Sequence, residues 1–153
     1  MIRVNFVCHG NICRSPMAEY VFKDLVKKLG READFYITSS AVSNEEIGNP
    51  IHYGTRRILS EKGIPFGDHR ATKFTREDYD NFDYIIIMDA SNQRLMNRII
   101  GDDKDNKIHL FLSFADERRD IADPWYTGNF EDTYRDVVTA SKAFLEYLER
   151  NGK

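Results

Sequence analysis

The sequence VNFVCHGNICRSPMAEYVF, at residues 4–22, changes from one kind of local structure to another within a few positions. Apolar and polar residues alternate over residues 2–7, which predicts a strand that ends near Cys8. Apolar residues then recur about once per helical turn over residues 17–29, which predicts a helix with one buried face. A short loop must join the two, so this stretch specifies a strand–loop–helix unit.

Ser15 and Pro16 mark the predicted start of this helix. A serine hydroxyl can accept a hydrogen bond from a free backbone N–H group, which makes Ser15 a candidate N-cap. Proline is favoured at the first helical position, because its missing N–H has no helical partner there. Gly30 follows the last apolar residue of the stripe and predicts the end of the helix.

The rest of the chain continues the alternation of strands and helices. The pattern predicts further strands at residues 35–41, 82–89 and 107–112, and further helices at 50–62, 90–100 and 130–150. The run FDYIIIMD is apolar without alternation, as parallel strands buried on both faces tend to be. We therefore expect one domain, residues 1–153, with a parallel α/β sheet and helices on both faces.

Residues 113–129 show no convincing periodicity. The segment is long for a connection between elements of a small domain. Long ordered loops in compact domains are often functional. We therefore expect residues of this segment to contribute to a site.

The composition excludes several classes of protein. Hydrophobic residues make up 41% and charged residues 31% of the chain, which is typical of a folded protein rather than a disordered one. The net charge is -3 without a basic block, which argues against nucleic acid and anionic membranes as partners. The chain has no apolar run near the length of a membrane span and no signal-peptide pattern at its start.

Cysteine usage gives a further limit. The two cysteines, Cys8 and Cys13, form no disulfide framework, and no His or Cys partners stand at the spacing of a zinc site. We therefore expect no zinc site, and no other metal or cofactor is expected. A reducing cytoplasm is the simplest setting for such a chain.

Cys8 lies at the carboxyl end of a strand, where open α/β sheets bind their ligands. The helix that follows offers unpaired N–H groups and a partial positive charge. Gly10 and Asn11 can adopt left-handed backbone angles that turn several N–H groups inward. Arg14 adds a planar fork that binds two oxygens of an oxyanion. These features describe a cradle for phosphate, with a thiolate favoured by the same field and directed at phosphorus.

A structural interpretation exists for each of these residues. A lone cysteine is most often a small buried hydrophobe, and a Ser-Pro pair is an ordinary helix start. It is the joint placement of Cys8 and Arg14, between a strand end and a helix start, that favours a functional interpretation. The nucleotide-binding pattern GxxxxGK[ST] is absent, so this loop is not a Walker motif.

The sequence VCHGNICRSP, at residues 7–16, resembles the signature V-C-x-G-N-I-C-R-S-P of the low-molecular-weight protein tyrosine phosphatase family. The similarity continues through TSSAVS, EIGNP, GIP, FDYIIIMD-x-SN and DPWY, in order and spacing, and covers nearly the whole chain. The resemblance implies a four-stranded parallel sheet and hydrolysis of phosphotyrosine and other aryl phosphate monoesters. The reaction would pass through a phosphocysteine intermediate without a metal. We expect phosphotyrosine-containing proteins as partners, and a cytoplasmic monomer.

The resemblance also implies roles for single residues. Cys8 would be the nucleophile, Arg14 would bind the phosphate, and Ser15 would stabilise the Cys8 thiolate when it leaves in the second step. Asp123, in the only Asp-Pro pair of the chain, would be the general acid and later the base that activates water. The phosphate-binding loop would comprise His9, Gly10, Asn11, Ile12, Cys13 and Arg14.

A second set of matches surrounds this loop. Trp125 and Tyr126 would be walls of the entrance, since flat rings stack on an aromatic substrate. A hydrogen-bond network that holds the loop in shape would comprise Asn11, Ser39 and His69. Asp89 matches an acidic residue to which we assign no role. Cys13 leaves two interpretations open: it packs under the loop, or it forms a disulfide with Cys8 under peroxide and so protects the nucleophile. The family supports the second.

Departures from the family pattern concern the mouth of the site. Glu45 stands where family members often carry an aromatic residue, and a carboxylate there would disfavour acidic substrates. His9 occupies another variable mouth position. These differences bear on substrate preference rather than on the chemistry.

Alternative functions differ in residues that the sequence can test. An arsenate reductase of the same fold relays a disulfide to further cysteines outside the loop, and this chain has none. A protein arginine phosphatase carries Thr in place of Ile12. A silent anion-binding module would lack the nucleophile or the acid, whereas Cys8 and Asp123 are both present.

Overall fold

The computed structural model describes residues 1–153, and a four-stranded parallel sheet lies at its centre. The strands are β1 (Ile2–Cys8), β2 (Phe35–Ala41), β3 (Tyr84–Ile87) and β4 (Ile108–Leu110). They lie in the order β2-β1-β3-β4. The helices are α1 (Arg14–Lys28), α2 (Tyr53–Glu61), α3 (Arg76–Asn81), α4 (Ala90–Ile100), α5 (Pro124–Thr127) and α6 (Phe130–Arg150). Short 3-10 helices occupy Glu32–Asp34 and Phe111–Ala115.

Helices cover both faces of the sheet, because successive side chains of a strand point to opposite faces. Phe6 of β1 lies in the larger core, to which α1 contributes Phe22 and α6 contributes Phe144. Val7 lies in the smaller core, to which α4 contributes Met96. The predicted α/β fold, a parallel sheet between two layers of helices, is confirmed.

The carboxyl end of β1 lies at a switch in strand order. β1 pairs with β2 on one side, where Cys8 is opposite Ala41, and with β3 on the other, where Val7 is opposite Ile87. The chain therefore passes from β1 to one neighbour and later crosses to the other. A crevice outside the strand ends forms at such a point. Cys8 stands at its edge, as the sequence predicts.

The start of α1 differs from the sequence prediction. The helix begins at Arg14, with Cys13 as its N-cap residue and no capping side chain. The predicted N-cap role of Ser15 is therefore wrong, and Pro16 occupies the third helical position rather than the first. Its missing N–H costs no hydrogen bond there, since the first four N–H groups of a helix have no helical partner. The Ser15 hydroxyl is turned toward Cys8 instead.

Other element boundaries shift for local reasons. α2 begins at Tyr53 rather than at residue 50, because the His52 side chain caps it. β4 ends at Leu110, because the chain there enters a 3-10 helix. The sequence analysis did not predict α3, and α5 lies in the segment that it predicted to be irregular. No helix of the chain is both long enough and apolar enough to cross a membrane.

Candidate active site

The loop between β1 and α1 encloses the sulfur of Cys8. Asn11 has a φ of 61°, in the left-handed region, which turns its backbone N–H toward Sγ at 3.3 Å. The Ser15 hydroxyl lies 3.1 Å from the same sulfur. Cys8 itself is buried. Two groups that can donate hydrogen bonds thus converge on one sulfur.

Asn11 is the centre of a buried hydrogen-bond network. Its Nδ2 donates to Ser15 Oγ at 2.8 Å and to Ser39 Oγ at 3.0 Å. Its Oδ1 accepts from the backbone N–H of Thr72 at 3.1 Å, and its carbonyl oxygen lies 3.1 Å from His69 Nε2. The structure thus brings together Asn11, Ser39 and His69. These bonds hold a non-glycine residue in a backbone conformation that it adopts rarely when free.

Glu19 extends this network, and the sequence analysis missed it. Its side chain is buried, and Oε1 accepts a hydrogen bond from Ser39 Oγ at 2.6 Å. Lys23 Nζ lies 2.6 Å from Oε2, and His69 Nδ1 lies 3.8 Å from Oε1. A sequence signal did exist, because Glu19 follows Ser15 by one helical turn and therefore lies on the same face of α1.

Arg14 is almost fully buried, and its contacts within the protein are made by its two terminal nitrogens. Its Nη1 donates to Asp89 Oδ2 at 2.7 Å and to the carbonyl oxygen of Ile121 at 2.8 Å. Its Nη2 lies 3.4 Å from Asp123 Oδ2, and its Nε has no partner within the protein. Burial lowers the pKa of Arg14, but the negative charges of Cys8, Asp89 and Asp123 outweigh it, so the net pKa is raised. Arg14 is therefore a fixed cation whose Nε–H is free to donate a hydrogen bond to a ligand.

Asp89 has a clear place in this geometry. It is the N-cap residue of α4, where its Oδ1 accepts the backbone N–H of Asn92 at 2.7 Å. Its other oxygen holds Arg14. Asp89 thus fixes the guanidinium relative to the sheet, a position that the sequence analysis matched to the family without assigning a role.

Asp123 stands at the start of α5, above the guanidinium. Its Oδ1 accepts the backbone N–H of Trp125 at 3.0 Å, and Pro124 opens the helix. Its Oδ2 points to Arg14 Nη2. The side chain keeps 22% of its surface exposed, so the carboxyl group is accessible from the cleft.

The site opens through a cleft of about 110 Å³. Trp125 and Tyr126 form one wall and are exposed. Glu45 and Glu46 form part of the rim. The residues that line the cleft are Cys8, His9, Gly10, Ile12, Cys13, Arg14, Glu45, Glu46, Asp123, Trp125 and Tyr126. The predicted nucleophile, acid, phosphate loop and wall residues therefore meet in one place, apart from the loop residue Asn11, which is fully buried and does not line the cleft.

Two contacts shape the acidic rim. Glu45 Oε2 lies 2.9 Å from His9 Nε2 at the mouth. Glu46 accepts a hydrogen bond from Asn49 Nδ2 at 2.6 Å, and a Cβ added to Gly10 would lie 3.2 Å from its Cγ. The sequence analysis missed Glu46, although it lies beside Glu45. The rim presents two carboxylates next to a positively charged cradle.

Cys13 is buried beneath the loop. Burial raises the pKa of its thiol strongly, and the negative charges of Cys8 and Asp123 raise it further. Cys13 is therefore a neutral thiol at pH 7, whereas a cysteine nucleophile reacts as the thiolate.

Comparisons with known proteins agree with this geometry. The family model for low molecular weight phosphotyrosine protein phosphatase matches residues 3–153. The low molecular weight protein-tyrosine-phosphatase YfkJ of Bacillus subtilis is 40% identical over 152 residues, which cover 98% of this chain and 97% of that protein. The human low molecular weight phosphotyrosine protein phosphatase is 42% identical over 148 residues, covering 94% and 93%.

Solved structures extend the comparison to the fold. The crystal structure of YfkJ has a TM-score of 0.96 at 39% identity and covers 100% of this chain and 98% of that chain. The crystal structure of a Drosophila arginine phosphatase has a TM-score of 0.86 at 28% identity, covering 96% and 98%.

Proposed function

The chain belongs to the low molecular weight phosphotyrosine protein phosphatase family, and we propose that Cys8 carries its catalysis as a covalent nucleophile. Its reaction is the hydrolysis of phosphotyrosine and related aryl phosphate monoesters, and its substrates are phosphoproteins. The observation that supports the site assignment best is the sulfur of Cys8. This sulfur accepts a hydrogen bond from the Asn11 N–H and lies beside the Ser15 hydroxyl. The Arg14 guanidinium lines the same cleft, and its Nε has no partner within the protein.

In the first step, the Cys8 thiolate attacks phosphorus and forms an S–P bond. The P–O bond to the aryl oxygen breaks, and the carboxyl group of Asp123 gives that oxygen its proton. Arg14 binds two phosphate oxygens through Nε and Nη2, because Asp89 and the Ile121 carbonyl already hold Nη1. Backbone N–H groups of the loop bind the remaining oxygen charge.

In the second step, water attacks the phosphorus of phosphocysteine. The Asp123 carboxylate takes a proton from this water, the S–P bond breaks, and inorganic phosphate forms. The leaving sulfur regains negative charge, which the Ser15 hydroxyl and the Asn11 N–H stabilise from 3.1 Å and 3.3 Å. Because Asn11 also binds Ser15, the network that shapes the loop also sets the position of this hydroxyl.

The rim of the cleft indicates the surroundings of the phosphotyrosine. Glu45 is well exposed at the mouth, and Glu46 lies beside it. Trp125 and Tyr126 line the same cleft with exposed rings that attract cations as well as aromatic groups. We therefore propose that the enzyme prefers phosphotyrosine with basic neighbours over phosphotyrosine with acidic neighbours.

The alternatives have less support. Ile12 lines the cleft with an aliphatic side chain, whereas the family resemblance implies threonine at this position in arginine phosphatases. An arsenate reductase would need a cysteine outside the loop, and Cys8 and Cys13 are the only two. We further propose that Cys13 protects Cys8 as a disulfide under peroxide. A cytoplasmic location and a monomeric state stay predictions from the sequence.

The test is hydrolysis of para-nitrophenyl phosphate and of a phosphotyrosine peptide in the presence of a metal chelator. The wild-type protein should hydrolyse both, and Cys8→Ser should hydrolyse neither while it still binds vanadate. Phosphoarginine, and arsenate with a thiol reductant, serve as competing substrates. Steady turnover by Cys8→Ser, or faster turnover of a competing substrate, would overturn the proposal.

A further inference from the structure

His52 has no part in the mechanism above, yet its imidazole contacts the aromatic wall of the cleft. His52 is the N-cap residue of α2. Its ring stacks on Phe130 at the start of α6, with the ring centroids 5.1 Å apart and an interplanar angle of 17°. Its ring also meets Trp125 in a T-shaped contact, at 5.6 Å and 75°. One imidazole thus joins the last helix to the wall.

Two hydrogen bonds hold this imidazole in place. The backbone N–H of His52 donates to the carbonyl oxygen of Ile12 in the phosphate loop at 2.9 Å. Its Nδ1 accepts the backbone N–H of Gly54 at 3.0 Å. Burial lowers the pKa of His52, and Arg56 lowers it further against the opposing charges of Glu46 and Asp123. The ring therefore stays neutral at pH 7, with Nδ1 free to accept.

Gly54 explains why Phe130 can reach the imidazole. A Cβ at this position would lie 2.5 Å from ring atoms of Phe130, closer than real contacts allow. The absence of a side chain at Gly54 therefore lets the two rings stack. The stacking of His52 on Phe130 therefore requires glycine at position 54.

The Trp125 side chain has one aromatic neighbour. The His52 ring is the only aromatic ring that packs on the indole, which is 56% exposed. The backbone of Trp125 is held separately, since its N–H binds Asp123 at 3.0 Å. His52 can thus set the direction of the indole without moving the carboxyl group of Asp123.

We propose that His52 is a positioning residue whose ring holds the Trp125 indole in the orientation that stacks on the aromatic group of the substrate. The inference rests on the proposed function, because an aryl phosphate is what gives the indole a ring to stack on. His52 touches no reacting atom. Its loss should therefore raise KM for aryl phosphates and leave kcat nearly unchanged, because Arg14 and the Trp125 N–H keep Asp123 in place.

Two variants separate the ring of His52 from its capping function. His52→Asn keeps an N-cap acceptor for Gly54 and removes the ring. His52→Phe keeps a ring for Phe130 and Trp125 and removes the acceptor. We expect His52→Asn to raise KM for para-nitrophenyl phosphate roughly three- to tenfold, the effect of one lost aromatic pair. We expect His52→Phe to keep KM near that of the wild type and to lower Tm.

Inhibition by inorganic phosphate is the matched control. Phosphate occupies the cradle but has no ring, so its inhibition constant should be the same in the wild type and in His52→Asn. His109→Asn is the control for loss of a histidine elsewhere, because His109 packs on Tyr84 and Phe114, outside the cleft. KM should be unchanged in that variant.

Fluorescence tests the inference independently of activity. Trp125 is the only tryptophan of the chain, so its emission reports this indole alone. Acrylamide should quench it more strongly in His52→Asn than in the wild type, and equally in His52→Phe and the wild type. Equal quenching in His52→Asn and the wild type, or equal rises of KM in both variants, would overturn the positioning role. An inactive wild type with the expected quenching pattern would instead overturn the proposed function.

Discussion

Replacement of Asp123 by asparagine separates proton transfer from the structural role of this side chain. Asp123 caps α5, with Oδ1 accepting the Trp125 N–H at 3.0 Å, while Oδ2 lies 3.4 Å from Arg14 Nη2. Asparagine has nearly the same shape and is an equally good N-cap. The short helix and the aromatic wall should therefore stay in place, whereas the amide is far too weak an acid to protonate the aryl oxygen.

The size of the effect depends on the leaving group. A positioned general acid contributes about 10²–10⁴-fold to the rate, so kcat for a phosphotyrosine peptide should fall by that factor in Asp123→Asn. A nitrophenolate leaves without a proton, so the loss should shrink as the leaving phenol becomes more acidic. The affinity for phosphate should be unchanged in Asp123→Asn, because Asp89 continues to hold Arg14 at 2.7 Å.

The assay is kcat for a series of aryl phosphates whose phenols differ in acidity. Asp123→Ala is the matched control, because it removes the cap as well as the proton. The free energy of unfolding should fall by about 1 kcal/mol more in Asp123→Ala than in Asp123→Asn, the usual effect of a lost N-cap. A loss of kcat of equal size across the whole series in Asp123→Asn would refute the role of general acid.

Other consequences concern oxidation and substrate choice. Mild peroxide should inactivate the enzyme reversibly, with a Cys8–Cys13 disulfide visible by mass spectrometry. After the same oxidation and treatment with a thiol reductant, Cys13→Ser should regain little of the activity that it had before oxidation. Full recovery of activity in Cys13→Ser would contradict the protective role of Cys13. Glu45→Lys should shift the kcat/KM ratio by a few-fold toward acidic phosphopeptides, less so in high salt, because an exposed charge contributes at most about 1 kcal/mol; an unchanged ratio would exclude the rim preference. Ile12→Thr should shift kcat/KM from phosphotyrosine toward phosphoarginine, and a wild type that prefers phosphoarginine would contradict the assignment.

Local sequence patterns predicted the bounds of those helices and strands whose ends are set by neighbouring residues. α4 ends before Gly101 as predicted, and α6 runs over the predicted residues 130–150. β2 also has its predicted bounds, residues 35–41. The sequence did not predict α3, because a helix of six residues is too short to show an apolar period. Its capping box of Thr75 and Asp78 was the only local signal. Capping alone indicates a helix start but not a helix.

The start of α1 shows how a long-range contact overrides a local preference. Ser15 and Pro16 form a favourable helix start by themselves. In the folded chain, the hydroxyl of Ser15 contacts Cys8 and Asn11, and the helix begins at Arg14, two residues before the predicted first position. The sequence could indicate the capping preference but not the competing partner.

The site residues divide in the same way. The loop from Cys8 to Arg14 was predicted as a unit, because its residues are consecutive and its shape follows from a strand end and a helix start. The pair of Arg14 and Asp89 joins positions 75 residues apart, so no local pattern could indicate its geometry. No local pattern indicates a role for His52, since its stacking on Phe130 depends on how α2 and α6 meet.

The central claim is that the phosphoryl group passes through the sulfur of Cys8. The most direct measurement is rapid denaturing quench of the wild-type protein during turnover of para-nitrophenyl phosphate with a chelator present, followed by digestion and mass spectrometry. A covalent mechanism predicts one phosphoryl group on the peptide that contains Cys8, and none in Cys8→Ser. Turnover without any phosphorylated Cys8 peptide would contradict it and would point to direct attack by water.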